Sequence, residues 1–261
     1  MRALVDWYLT VADWLRGRAV EAEHALAALV AEQGSAGERY FALRCYDLGQ
    51  VQRARGRLAA ALHTYQQALD ASSDTDRPLP PAGMAHVGMA WVLYERGELK
   101  AALDHATEGV ELCRQVAYPL PLLAGLAILA WIRHVQGDRA GAMEAIRDAE
   151  RVELSPTVVA LLNPMPALRA RLLLAHGEVD AAARWVQERG LDADDDPTYP
   201  HEREYLILAR LLLAEQAPSR ALRLLERLHA PAVAQGGQAA SSRSRRCGRW
   251  PWTPAMTGPA P

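Results

Sequence analysis

The chain has 261 residues, half of them hydrophobic, with a single Phe and a formal net charge of −2. That composition, rich in Ala and Leu, favours helices over strands. Every charge after Arg227 is positive (Arg243, Arg245, Arg246, Arg249), so residues 1–229 carry −2 − 4 = −6 and give no electrostatic ground for binding nucleic acid.

Helical patterning begins at once. Leu4, Trp7, Tyr8, Val11 and Leu15 share one face of a predicted helix over 3–16, Gly17 ends it, and a second helix runs over 19–30 with Ala22, Ala25, Leu26 and Leu29 inward. Residues 33–37 read as a loop. The next pair spans 38–54 and 57–71, marked by Tyr40, Leu43 and Leu48, then by Leu58, Ala61, Leu62, Tyr65 and Leu69. Residues 72–81, with Ser, Asp, Thr and three prolines, predict a rigid exposed connector.

The third pair is the clearest. Met84, Val87, Gly88, Trp91 and Tyr94 stripe its first helix; Leu99, Ala102, Leu103, Ala106, Val110 and Cys113 stripe its second; and small Gly88 and Ala90 permit close approach. The fourth opens at Pro119-Leu120-Pro121 and turns at Gly137-Asp138. Residues 115–132 form the longest uncharged run, eighteen residues, but its prolines leave only about twelve for a helix, too few to span a bilayer. Asn163-Pro164-Met165-Pro166 breaks the fifth, leaving helices over 166–176 and 178–189, with Gly190 placed as a helix-ending residue. An acidic loop over 192–197 leads to a sixth pair, about 200–215 and 218–229, turning at Ala217-Pro218.

After His229 apolar periodicity stops. Residues 230–261, rich in Ala, Gly, Ser, Pro and Arg and without an acid, predict a disordered basic tail. Two origins fit it: a natural flexible terminus, or a shifted reading frame of a GC-rich gene, which the nucleotide sequence decides. Its arginines with Trp250 and Trp252 lack the amphipathic helix or groove-reading element needed for a membrane or nucleic acid.

The turns define a register. Gly17, Gly56, Gly97, Gly137 and Gly177 recur at 39, 41, 40 and 40 residues, one helix-turn-helix per period, which predicts an all-α superhelical solenoid of about six pairs over 1–229. Five residues after each glycine stand Ala22, Ala61, Ala102, Ala142 and Ala182; seven before stand Gly49, Ala90, Ala130 and Ala170. Small residues at these offsets resemble the tetratricopeptide repeat, where they sit at the close contact of helices A and B. The forty-residue period resembles the longer repeats of MalT-like proteins, the ATP-dependent LuxR-type transcription activators. So do Ala85-His86-Val87-Gly88-Met89-Ala90, Ala182-Ala183-Arg184-Trp185, Glu188-Arg189-Gly190-Leu191 and Tyr199-Pro200-His201-Glu202-Arg203-Glu204-Tyr205.

Relatives of this kind carry an ATPase domain, a helical sensor region and a helix-turn-helix. This sequence has no G-x-x-x-x-G-K-[ST] motif and no helix-turn-helix pattern in its last thirty residues. The resemblance therefore implies the sensor scaffold alone: a non-catalytic region of a cytoplasmic regulator, binding a small-molecule inducer or a protein or peptide partner, with self-association as a further mode. A general tetratricopeptide adaptor is the alternative. No cofactor, direct nucleic-acid contact or membrane contact is implied.

The resemblance also implies that helix A side chains face the concave surface. Six before each turn glycine lie Gln50, Trp91, Trp131 and Arg171; three before lie Trp14, Arg53, Tyr94 and His134; Tyr46 lies one helical turn before Gln50. Aromatics beside amide, guanidinium and imidazole groups suit a sugar ring or a peptide. For each tryptophan singly the weight falls on packing between repeats, since large aromatics are mostly buried.

Other candidates fail on spacing. Asp192, Asp194 and Asp196 begin a calcium loop, but Pro197 and Arg203 stand where glycine and glutamate are required. His63, His86, His105, His134 and His176 are expected apart, in different repeats and without zinc spacing, and His201 is expected to point away from Glu202 and Glu204. Cys45, Cys113 and Cys247 form no C-x-x-C pair; the first two read as small core residues. No metal site or nucleophile–base pair is expected.

Overall fold

Gly56, Gly97, Gly137 and Gly177 all adopt positive φ, between 79° and 84°, a conformation that costs glycine nothing. The computed structural model describes residues 9–14, 16, 18–31, 38–72, 80–115, 119–152, 165–196 and 201–234. Residues 9–14 are helical. After them come α1 (Ala19–Ala31), α2 (Glu38–Ala54), α3 (Leu58–Ser72), α4 (Pro80–Arg96), α5 (Leu99–Gln115) and α6 (Pro119–Val135). The chain continues through α7 (Arg139–Glu150), α8 (Met165–Ala175), α9 (Val179–Arg189), α10 (Glu202–Ala214) and α11 (Pro218–Ala234). No strand occurs among the described residues.

The A helices are residues 9–14, α2, α4, α6, α8 and α10; the B helices are α1, α3, α5, α7, α9 and α11. Every A-to-B turn from Gly56 onward repeats one pair of hydrogen bonds. The left-handed residue's N–H donates three residues back (Gly97 to Tyr94 O, 3.1 Å) and the next N–H five back (Glu98 to Leu93 O, 2.9 Å). This Schellman closure satisfies the last carbonyls of helix A and reverses the chain at once. It recurs at Gly56, Gly137 and Gly177, and again at Gln216, with φ of 59°. The sixth turn therefore pivots on Gln216, one residue before the expected Ala217-Pro218.

The alanines five residues after the turns, Ala22, Ala61, Ala102, Ala142, Ala182 and now Ala221, are all buried. So are Gly49, Ala90, Ala130, Ala170 and Ala209, seven residues before. Small residues at both offsets let helix A and helix B of each pair close on one another, as the register predicts. The repeat interfaces add polar ties. Buried Glu23 of α1 accepts from both Arg55 and Arg57 at the next turn, and Arg44 donates to Leu29 O at 3.0 Å. Cys45 and Cys113 are buried and free, and burial pushes each thiol up to about 12, which removes the reactive thiolate.

Three expected boundaries move. Pro80 and Pro81 lie inside the first turn of α4 instead of in a connector, and Pro119 and Pro121 lie inside the first turn of α6, which is seventeen residues long. The reason is common to both: first-turn N–H groups have no intrahelical acceptor, so proline sacrifices nothing there. Residues 73–79 of the expected connector lie outside the described residues, as do Asn163 and Pro164. Helix α11 runs on to Ala234, past the expected domain end at His229; residues 235–261 lie outside the described residues. No helix among the described residues is long and apolar enough to cross a membrane.

Candidate partner-binding groove along the A helices

Consecutive A helices pack on each other: α2 on α4, α4 on α6, α6 on α8, α8 on α10. Consecutive B helices pack less closely; α5 and α7 meet through the Arg114–Asp148 bridge, at 3.0 Å. Helices that crowd lie on the inside of a bend, so the A helices line the concave side and the B helices splay outside.

The structure gathers the expected site residues into two linked groups on that side. On α2, Gln50 Nε2 donates to the Tyr46 hydroxyl at 2.9 Å, and Arg53 reaches Gln50 Oε1 at 3.3 Å. Arg53 then crosses to α4, donating to Glu95 Oε1 at 2.7 Å and lying 5.0 Å from the Trp91 ring centroid. Trp91 meets Tyr94 edge-on and donates its indole N–H to Ala124 O of α6 at 3.2 Å. In the second group, the Arg171 guanidinium of α8 stacks 3.8 Å from the Trp131 ring of α6. Trp131 meets His134 edge-on, and His134 Nδ1 lies 3.0 Å from His176 Nε2.

Electrostatics connect the groups. Burial pushes the Tyr94 hydroxyl up to about 12, with Arg171 pulling the other way, so Tyr94 feels the charge two A helices on. Burial also raises the Tyr46 hydroxyl, and the nearby Asp47 adds to the effect. His134 is held below its ordinary value by burial and by Arg171; His176 by burial, then Arg139 and His134. Both imidazoles are therefore biased to the neutral form that a shared N–H···N bond requires.

Exposure divides the set. Trp131 is only 2 % exposed and belongs to the core, packed between repeats as large aromatics mostly are. Tyr46, Gln50, Arg53, Trp91, Tyr94, His134 and Arg171 are half-buried and keep surface to offer. The stripe continues at the same offset through half-buried Leu174 to exposed Leu213, so its C-terminal end turns apolar.

Several residues were not legible in sequence. Glu95, which closes the Arg53 link, lies in the next repeat, too far along the chain for a local pattern to pair the two. His86 and His105 are not apart: they share the third repeat, with Nδ1 atoms 2.9 Å apart between α4 and α5. His134 and His176, forty-two residues apart in sequence, also meet. No group of three His, Cys, Asp or Glu able to hold a metal occurs among the described residues. His201 does not point away from Glu204; its Nδ1 lies 3.2 Å from Glu204 Oε2, because residues three apart share a helix face. Glu204 is buried and also accepts from Arg189 at 2.7 Å, a tie between α9 and α10. The acidic loop is likewise tied down: Asp195 accepts from Tyr205 OH at 2.9 Å and from Asp192 N–H at 2.8 Å, and Arg227 donates to Asp194 O at 3.1 Å.

The model of the MalT-like TPR region matches residues 1–246. The chain belongs to the MalT-like tetratricopeptide-repeat family. No curated protein matches it. Among solved structures, the Rap conjugation gene regulator of plasmid pLS20, in complex with the Phr* peptide, aligns at TM-score 0.68 and 17% identity, over 95% of this chain and 75% of that one. The apo form of RapI aligns at 0.60 and 9% identity over 95% and 99%. BtubC from P. vanneervenii aligns at 0.50 and 13% identity over 100% and 94%. At these identities the likeness is one of fold, and it places this MalT-like region among helical-repeat scaffolds.

Proposed function

We propose that this MalT-like repeat region is a non-catalytic sensor scaffold that binds a peptide, or a small-molecule inducer, along the concave A-helix stripe. The observation that carries the reading is the series of contacts Tyr46–Gln50–Arg53–Trp91–Tyr94 and Trp131–Arg171, with His134 and His176, linking four consecutive A helices. A ligand laid along these side chains touches several repeats at once, so its binding energy acts directly on superhelical curvature. The stripe offers half-buried aromatic edges and paired guanidinium groups. These can stack on rings and donate to carboxylate or carbonyl oxygens with little loss of side-chain freedom. A peptide is favoured because the fold neighbour from plasmid pLS20 is described with a peptide bound. In this reading the chain serves a LuxR-type transcriptional regulator.

The experiment is a thermal-shift screen with pooled peptides and oligosaccharides, since any native-state binder raises the melting temperature. A pool that stabilises the wild type and Lys100→Ala, at an exposed position of α5, should fail to stabilise Tyr94→Ala and Arg171→Ala. Equal shifts in all four proteins, or no shift from any pool, overturn the reading.

A further inference from the structure

Two histidine pairs meet in this array, and the charges around them differ in sign. His86 of α4 and His105 of α5 bring their Nδ1 atoms to 2.9 Å, with ring centroids 5.0 Å apart. His134 and His176 meet at 3.0 Å. The charged groups acting on the first pair are acids, Glu108 on His86 and Asp104 on His105. Those acting on the second are chiefly guanidinium groups, Arg171 on His134 and Arg139 on His176, with Glu178 opposing them.

The repeat register does not account for the first pair. His86 stands eleven residues before its turn glycine and His105 eight after it. The same two positions hold Cys45 and Thr64 in the second repeat and Leu126 and Ala145 in the fourth, all buried. In the sixth they hold Tyr205 and buried Leu224. The contact between helix A and helix B thus closes at this level without an imidazole. In the third repeat it carries two, each half-buried and so within reach of solvent.

Distance and charge suit this pair to a metal ion. Imidazole binds a metal only as the neutral ring, and burial, the leading cause at both residues, holds each below its ordinary 6.5. In the Nε2–H tautomer each ring presents a lone pair on Nδ1. Two nitrogens about 2.0–2.1 Å from one ion stand about 2.9 Å apart at a right angle and about 3.3–3.4 Å apart at the tetrahedral angle. The observed spacing is the right-angle value, which tetragonal copper(II) and nickel(II) prefer and tetrahedral zinc does not. The neighbouring acids attract a dication, whereas Arg171 and Arg139 repel one from the second pair.

We propose that His86 and His105 form a two-histidine site for a divalent first-row transition ion, copper(II) first and nickel(II) next, with both Nδ1 atoms as ligands and water filling the remaining positions. Glu108, one helical turn beyond His105, accepts from a metal-bound water. The ion ties α4 to α5 within the third repeat, and so stiffens the helix pair that carries Trp91 and Tyr94. The site stands whatever the concave groove binds.

The test titrates the full chain, without an affinity tag, with copper(II) in a weakly coordinating buffer. The wild type should take up one equivalent at micromolar copper with a raised melting temperature. The electron paramagnetic resonance spectrum of that complex should show coupling to two imidazole nitrogens. His86→Gln and His105→Gln, with unchanged helical circular dichroism, should each weaken binding by at least about tenfold, the least that loss of even an outer-sphere partner costs. His176→Gln should leave the affinity unaltered. No uptake by the wild type overturns the proposal, as does a spectrum with one nitrogen or more than two, which decides the matter even where a variant does not fold. Affinity kept by both His86→Gln and His105→Gln marks an adventitious ion elsewhere and overturns it too, and so does an equal loss in His176→Gln.

Discussion

Tyr65 sits where two glycines converge, and Gly88→Ala tests how tightly the repeats are packed there. Its ring projects from α3 and is fully buried. A Cβ on Gly49 of α2 would lie 2.5 Å from both Cε1 and Cζ of the ring, and a Cβ on Gly88 of α4 would meet the same two atoms closer still. The ring therefore cannot retreat from one helix without pressing on the other. Forcing a methyl into such a site costs about 1–3 kcal/mol. Replacing glycine by alanine inside a helix returns about 1 kcal/mol. Gly88→Ala should accordingly lose about 1 kcal/mol, read as a lower urea midpoint at unchanged slope. In a Tyr65→Leu background the ring edge is gone, and the same substitution should become neutral or stabilising, a coupling of about 1–3 kcal/mol in the double-mutant cycle. A Gly88→Ala protein stabilised by the full helix-propensity gain, with no coupling to position 65, would refute the reasoning.

Two further outcomes follow from the turns and the imidazole pairs. Gln216 holds the left-handed position that glycine fills elsewhere, at about 1–2 kcal/mol of steric cost, while glycine costs about 0.5–1 kcal/mol more unfolded-chain entropy. Gln216→Gly should therefore stabilise by roughly 0.5 kcal/mol in denaturant titration, and a loss would show that the Gln216 side chain has a role of its own. His86, His105, His134 and His176 all have folded-state values lowered below 6.5, with burial the leading cause. The unfolded chain then binds their protons first. Their contribution is complete above the unfolded value and is lost as pH falls through and below it, so the melting temperature should drop between about pH 7 and about pH 5. His176→Gln should flatten part of that slope. Asp195, lowered mainly by the Asp192 N–H, acts in the same direction only at the more acid carboxylate range, and a melting temperature flat to about pH 5 would contradict the histidine account.

Turn positions were legible because the left-handed conformation and the tight A–B approach each impose a demand on one residue: glycine at the pivot, alanine five residues on. Gln216 escaped that logic, since a longer side chain can occupy the same φ at a cost the surrounding array absorbs. The proline-led start of α4 was misplaced, and α6 was read too short, because sequence shows a missing N–H but not whether anything needed it. The stripe offsets picked out side chains that meet across successive A helices. They did not separate Trp131, sealed in the core, from half-buried Trp91, because the same offset meets different neighbours in different repeats.

By itself, then, the sequence determined the period and the helix pairing, which follow from local periodicity and from single residues with special backbone or packing needs, and it carried the resemblance that implied the family and the inner face. Only the tertiary structure decided which side chains touch. The Arg53–Glu95 bridge, the Arg171–Trp131 stack and the His134–His176 contact each join residues from separate repeats. Their geometry depends on how successive repeats are rotated and stacked, a small angle per repeat that no local pattern encodes.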